Sequence, residues 1–85
     1  MLKVYGSMLC PDCVNCCADL DRAGVSYEFL DFAESLKNLK EFLVLRENPE
    51  FDHAKEFGAI GIPCIVREDS SITLDWSEYV GQGKA

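Results

Sequence analysis

Four of this chain's five cysteines, Cys10, Cys13, Cys16 and Cys17, fall within eight residues, and the fifth, Cys64, stands far downstream. That clustering constrains the fold more than any other feature. A disulfide scaffold spreads its cysteines, because bridges that close long loops stabilise most. A fully paired secreted framework also has an even number of them. The fold must therefore rest on an apolar core. With 48% hydrophobic and 27% charged residues in 85, the chain suits one small domain with such a core. The domain is expected to span 1–80, with a frayed tail at 81–85, Gly81-Gln82-Gly83-Lys84-Ala85. Clustered thiols point to redox chemistry or metal binding in a reducing compartment, so the expected location is cytoplasmic.

Charge narrows the partners. Eight basic against fifteen acidic side chains give −7. A phosphate backbone or an anionic membrane repels such a surface, so neither nucleic acid nor membrane is an expected partner. No run of apolar residues is long enough for a membrane span. The stretch Met1 to Gly6 lacks the apolar run and cleavage site of a signal peptide. The carboxylates are scattered and read as a solvated surface.

Leu2 to Tyr5 reads as a strand ended by Gly6 and Ser7. Pro11 then opens a helix at the first helical position, where a missing N–H costs nothing. Cys13, Cys16, Cys17, Leu20 and Ala23 recur in steps that make one helix face, with Asn15, Asp19 and Arg22 opposite. Gly24 is a natural stop. Ser26 to Phe32 reads as a second strand, and a crossover of this length suits a parallel βαβ unit. Ser35 to Arg46 is expected to be a helix, with Leu36, Leu39, Phe42, Leu43 and Arg46 on one face. Asn48-Pro49 breaks it and starts a third helix to Phe57, ended by Gly58. Cys64 to Arg67 and Ile72 to Leu74 form a hairpin about the polar turn Glu68-Asp69-Ser70-Ser71, and Trp76 to Val80 adds a last helical turn. Four strands flanked by helices fit an α/β sandwich.

Cys10-Pro11-Asp12-Cys13 carries the chemistry. A Cys-X-X-Cys at the start of a helix that follows a strand is a redox arrangement. Free N–H groups and the helix dipole favour a thiolate at Cys10. Asp12 opposes it, so a modest lowering of the Cys10 pKa is expected. Cys10 is then the attacking sulfur, and Cys13, one turn on, resolves the mixed disulfide. Pro63 lies 53 residues after Cys10, at a strand start where a proline is tolerated. A cis Ile62–Pro63 bond there would expose the Ile62 backbone for pairing with an extended substrate. Met8 and Leu9, apolar beside the reactive cysteine, are assigned with Pro11, Asp12, Ile62 and Pro63 to substrate binding.

These residues resemble a glutaredoxin of the thioredoxin superfamily. The resemblance rests on Val4-Tyr5-Gly6, Cys10-Pro11-Asp12-Cys13, Leu20 and Gly24, Tyr27-Glu28 and Gly61-Ile62-Pro63, and covers roughly 2 to 80. It is nearest to small glutaredoxin-related bacterial proteins, through Lys37-Asn38-Leu39-Lys40-Glu41-Phe42-Leu43 and the run from Pro49-Glu50-Phe51 to Cys64. It implies a four-stranded mixed sheet in the order 2-1-3-4 with helices on both faces. It also implies a cis Pro63 beside Cys10, and thiol–disulfide exchange by Cys10 and Cys13. The glutathione contacts of typical glutaredoxins are altered. Ser7 and Met8 stand where a basic residue is usual, Asp12 where Tyr is usual, and Leu74-Asp75-Trp76-Ser77 where paired glycines are usual. A −7 surface without that clamp attracts anionic glutathione weakly.

The reading is a monomeric thiol–disulfide oxidoreductase acting on a protein or small-molecule disulfide, with no bound cofactor. Its electron donor is glutathione as co-substrate or, favoured by the missing clamp, a thioredoxin-reductase-type flavoenzyme. The alternatives are a metal or iron–sulfur module using the same cysteines and a redox sensor without turnover. A continuous helix cannot wrap its own four cysteines around one ion, because they spread over about ten ångströms of axis. Cys16 and Cys17 are expected to pack in the core, as is Cys64. His53, without a motif around it, is expected at the surface.

Overall fold

The computed structural model describes residues 1–80; the tail expected at 81–85 lies outside the described residues. The first strand, β1 (Leu2–Gly6), supplies both faces of the core. Successive strand residues point to opposite sides. Leu2 and Val4 accordingly join Cys16, Leu20 and Ile65 in one buried cluster, while Tyr5 joins Phe42, Phe51, Cys64 and Ile72 in the other.

The remaining elements are α1 (Pro11–Arg22), β2 (Tyr27–Asp31), α2 (Leu36–Leu45), a 3₁₀ turn at Pro49–Phe51, α3 (Asp52–Glu56), β3 (Cys64–Val66), β4 (Ile72–Thr73) and α4 (Ser77–Val80). The sheet order is β2-β1-β3-β4. β1 runs parallel to β2, as the βαβ reading requires, and antiparallel to β3, which pairs antiparallel with β4. Helix α1 covers one face together with Trp76, Tyr79 and Val80; α2 and the Phe51 turn cover the other. The chain is thus a small α/β domain with a mixed sheet in the expected order and helices on both faces.

Local signals set the boundaries. Pro11 occupies the first turn of α1. The Ser35 hydroxyl accepts from the Lys37 N–H at 3.1 Å and caps α2. The Asn48 side chain accepts from the Glu50 N–H at 2.9 Å and starts the next turn. Long-range polar contacts fasten α4. The Trp76 indole N–H donates to Asp19 at 2.9 Å, and Arg67 forks onto Glu78 at 2.8 and 3.0 Å.

Three expectations need correcting. The third helix is divided: a tight 3₁₀ turn precedes α3 and drives the Phe51 ring into the core, edge-on to Phe42 at 5.7 Å. Ala23, expected on the inner face of α1, is its exposed C-cap. Asp19, expected on the outer face, reaches Trp76. On α2 only Phe42 is fully buried, and Leu36 and Leu43 are exposed. The sheet beneath α2 ends in strands of three and two residues, and Leu43 faces a groove instead. His53 is exposed as expected, with its ring against exposed Phe57 at 4.7 Å.

Phe42 is 1% exposed and packs tilted against Phe32 at 5.0 Å as well as edge-on to Phe51. Phe42→Ala is expected to cost about 3–5 kcal/mol in urea unfolding. Val44→Ala, at a residue 73% exposed, should stay within about 0.5 kcal/mol. Equal effects would contradict this account of the core.

Candidate functional site

A single turn carries the chain from β1 into α1. The Cys10 N–H donates to the Ser7 carbonyl at 3.0 Å, and the Leu9 N–H to the Ser7 hydroxyl at 3.1 Å. Cys10 is the N-cap of α1, with extended backbone (φ −94°, ψ 120°). Its carbonyl accepts from the N–H groups of Cys13 (3.0 Å) and Val14 (3.2 Å), but its side chain makes no capping bond. The Cys10 thiol is therefore half-buried at the mouth of the helix, while the Cys13 thiol, one turn in, is fully buried.

Cys13 sits against the end of β1. A β-carbon on Gly6 would lie 2.5 Å from its sulfur, so the approach requires glycine there. Burial pushes the Cys13 thiol up to about 12; the Ser7 backbone N–H works against this, while the Cys10 charge and a hydrogen bond with Cys10 add to it. Cys13 thus holds its proton beside the Cys10 sulfur. The pair is unequal, one sulfur accessible and one buried and protonated.

The other thiols are packed away. Burial pushes Cys16 up to about 12, with its neighbours Cys17 and Cys13 adding to the effect. Burial also raises Cys17, against a hydrogen bond from the Tyr27 hydroxyl. Cys64, raised to about 12 by burial, packs with Tyr5 and Phe42 on the α2 face. The sheet therefore separates its sulfur from those of Cys16 and the rest of the α1 face. Among the described residues no three His, Cys, Asp or Glu side chains converge as metal donors.

The loop before β3 completes the site. In the β1–β3 register Tyr5 pairs with Cys64; one step further sets Pro63 opposite Gly6, the residue on which Cys13 rests. Pro63 is buried, and the Ile62–Pro63 bond is cis. Among the described residues no turn, loop or cap backbone hydrogen bond uses Ile62. Gly61 has φ +95°, and a β-carbon there would come within 2.7 Å of the Phe51 ring. Arg46, reaching across from the end of α2, donates from Nε to the Ile60 carbonyl at 2.8 Å and from Nη2 to the Ala59 carbonyl at 2.9 Å.

A groove of about 320 Å³ opens between this loop and α2, lined by Ser7, Phe32, Leu39, Leu43, Ile60 and Ile62 with Arg46 beside them. Of the residues expected to bind substrate, Ile62 lines it, and Pro63 is the adjoining buried residue. Met8 and Leu9 are exposed in the turn, Leu9 at 92%, and do not line the groove; Pro11 and Asp12 are exposed on the first turn of α1. Sequence reasoning missed Ser7, Gly6 and the clamp from Arg46. The only signals were a glycine closing a strand and an arginine at the edge of an apolar helix face.

The chain is 41% identical over 70 residues to an uncharacterized protein of Haemophilus influenzae, a match that covers 81% of each chain. It belongs to one family with that protein. No family model matches the chain, and no solved structure matches it.

Two measurements check this chemistry. In native protein, a thiol alkylating reagent at neutral pH should modify Cys10 first and leave Cys13, Cys16, Cys17 and Cys64 slow. The raised thiols also set a pH dependence of stability. Below the ordinary thiol range the four buried thiols, Cys13, Cys16, Cys17 and Cys64, are protonated, folded or not. Above it the unfolded chain releases protons that the folded chain keeps, so the unfolded state binds fewer and stability falls as pH rises. Urea unfolding should therefore show declining stability from about pH 8.5 upward, by at most about 1.4 kcal/mol per pH unit for each such thiol. Cys64→Ala should make the decline shallower. A flat profile to pH 10 would contradict buried, protonated thiols.

Proposed function

We propose that this member of the family is a small dithiol oxidoreductase of the thioredoxin superfamily, glutaredoxin-like, reducing disulfides through Cys10 and Cys13. The observation that carries the reading is the unequal pair: an accessible Cys10 at the helix mouth and a buried Cys13 held as a thiol against it. The sheet order 2-1-3-4 and the helices on both faces are those the glutaredoxin resemblance implies, and they support it.

In the first step the Cys10 thiolate attacks one sulfur of the substrate disulfide. The bond to Cys10 forms as the substrate S–S bond breaks, and the departing sulfur takes up a proton. In the second, Cys13 loses its proton and attacks the Cys10 sulfur. The Cys10–Cys13 disulfide forms and the second substrate thiol leaves, so two electrons pass to the substrate. The site favours this order. Burial, the largest cause of the raised Cys13 pKa, persists, but once Cys10 is tied in the mixed disulfide its charge and its hydrogen bond no longer add to the hold on the Cys13 proton. The Ser7 N–H, which favours the Cys13 thiolate, remains. The free Ile62 peptide edge aligns an extended substrate beside Cys10.

The donor that returns the electrons is a thioredoxin-reductase-type flavoenzyme in preference to glutathione. Asp75, standing where a glutathione-holding turn is usual, spends its carboxylate on the Ser77 N–H at 2.9 Å, and the Thr73 hydroxyl accepts from the Asp75 N–H at 3.1 Å. That turn is closed on itself. The reading places the protein in a reducing compartment such as the cytoplasm; no helix among the described residues is long and apolar enough to cross a membrane.

Turnover of a disulfide peptide coupled to each donor system tests the proposal. Cys10→Ser should lower activity by at least about a hundredfold, a barrier change of about 2.7 kcal/mol. Cys13→Ser should accumulate a mixed disulfide on Cys10, visible by mass spectrometry. Activity that survives Cys10→Ser would overturn the reading.

A further inference from the structure

The charge on this protein is unevenly distributed. Residues 36–46, α2 and its C-cap, carry three of the chain's eight cations, Lys37, Lys40 and Arg46, and one of its fifteen carboxylates, Glu41. Glu41 is already engaged: it accepts from the Tyr5 hydroxyl at 3.0 Å and lies 3.9 Å from Lys37. On a protein of net charge −7, this helix and its C-cap carry a local excess of +2, with Glu34 and Glu47 just beyond the two ends.

The same helix exposes apolar surface. Leu36 is 70% and Leu43 52% exposed. Leu36, Lys40 and Leu43 are spaced by four and three residues, so they neighbour one another along one stripe. Leu39 and Leu43 continue that stripe into the groove beside Ser7 and Ile62. Arg46 uses Nε and Nη2 on loop carbonyls; its charge stays at the groove edge. Glu34 and Glu47 bound the strip at its two ends. The helix between them, ten residues, is about 15 Å long. That length matches four or five residues of extended chain at about 3.3 Å each.

We propose that the outer face of α2 and the adjoining groove dock a short, extended, acidic segment bearing large aliphatic or aromatic side chains. The segment belongs to the partner protein whose disulfide Cys10 reduces. One side chain of the segment fills the groove between Leu43 and Ile60, and its carboxylates face Lys40 and Arg46. Charge complementarity selects the occupant: a basic segment meets repulsion from Lys40 and Arg46, and a second copy sets −7 against −7 over both whole surfaces, whereas a short acidic segment meets chiefly the local charge of α2. The assignment rests on the dithiol reading only in giving the partner a disulfide; the docking surface is tested without it.

Cysteine-free peptides of alternating Glu and Leu or Phe, and their Lys counterparts, are titrated into the reduced, isotope-labelled full chain. Amide shifts report the site. The acidic peptide should move the amides of α2, Ser7, Ile60 and Ile62, and bind at least about tenfold tighter than the basic one. Raising salt from about 0.02 to about 0.3 M should weaken it. Lys40→Glu and Leu43→Asp, both at exposed positions, should each weaken it about tenfold while leaving the rest of the spectrum in place. Equal or tighter binding of the basic peptide, shifts confined to another surface, or no binding overturns the proposal. Concentration-dependent shifts of α2 without peptide also overturn it, in favour of self-association. Disulfide peptides with acidic or basic flanks then test the partner. The wild type should show a KM about tenfold lower for the acidic flank, and Lys40→Glu should narrow the gap. Equal KM values in the wild type overturn the assignment to the disulfide partner. If neither peptide is reduced, the dithiol reading fails, and with it the disulfide partner, while the shift map still decides the docking surface.

Discussion

The contact between Gly6 and the Cys13 sulfur sets the geometry of everything around it. No side chain fits between them, so α1 can lie against the end of β1 only with glycine at that position. With α1 so seated, Cys16 and Leu20 drop onto Val4 and Ile65 in the core. The Ser7 N–H comes within reach of Cys13, and Cys10 is left at the helix mouth, half in solvent. The same end of β1 meets the chain entering β3, so Pro63 arrives opposite Gly6. One missing β-carbon thereby brings two thiols and a distant loop to one place.

Burial then divides the five thiols by role. Desolvation favours the neutral form of a thiol, and four of the five are buried. A cysteine-rich chain can in this way keep one accessible sulfur without scrambling the others, since protonated, inaccessible thiols exchange slowly. The sheet adds a physical partition, with Cys64 on the α2 face and Cys16 on the α1 face. Loop and helix are coupled on the other side of the site. The Arg46 guanidinium holds the carbonyls of Ala59 and Ile60, which ties the loop before β3 to the end of α2 beside the groove.

Much of this was legible in the residues. The spacing of Cys13, Cys16, Cys17 and Leu20 marked the inner face of α1, because helical periodicity reports directly on which side chains share a face. Ser35, Asn48 and Pro49 marked boundaries through local hydrogen bonding and backbone restriction. Strand order did not follow from such local signals; it came with the glutaredoxin resemblance. The side taken by Cys64 stayed open until its pairing with Tyr5 fixed the register, since alternation names two faces without saying which is which. The Gly6–Cys13 contact and the Arg46 clamp join residues distant in sequence, so no local pattern shows them. On α2 the periodicity gave an apolar stripe correctly, but a stripe does not say how much of it a short sheet can cover.

A redox titration tests the central claim most directly. The protein is equilibrated across thiol/disulfide ratios, its free thiols are trapped by alkylation, and the unmodified cysteines are mapped by mass spectrometry. The account predicts one reversible two-electron transition that pairs Cys10 with Cys13 and leaves Cys16, Cys17 and Cys64 as thiols, with a midpoint that identifies the reductant able to drive it. A Cys10 and Cys13 that stay reduced throughout, or that pair with Cys64 or with another chain, would contradict it.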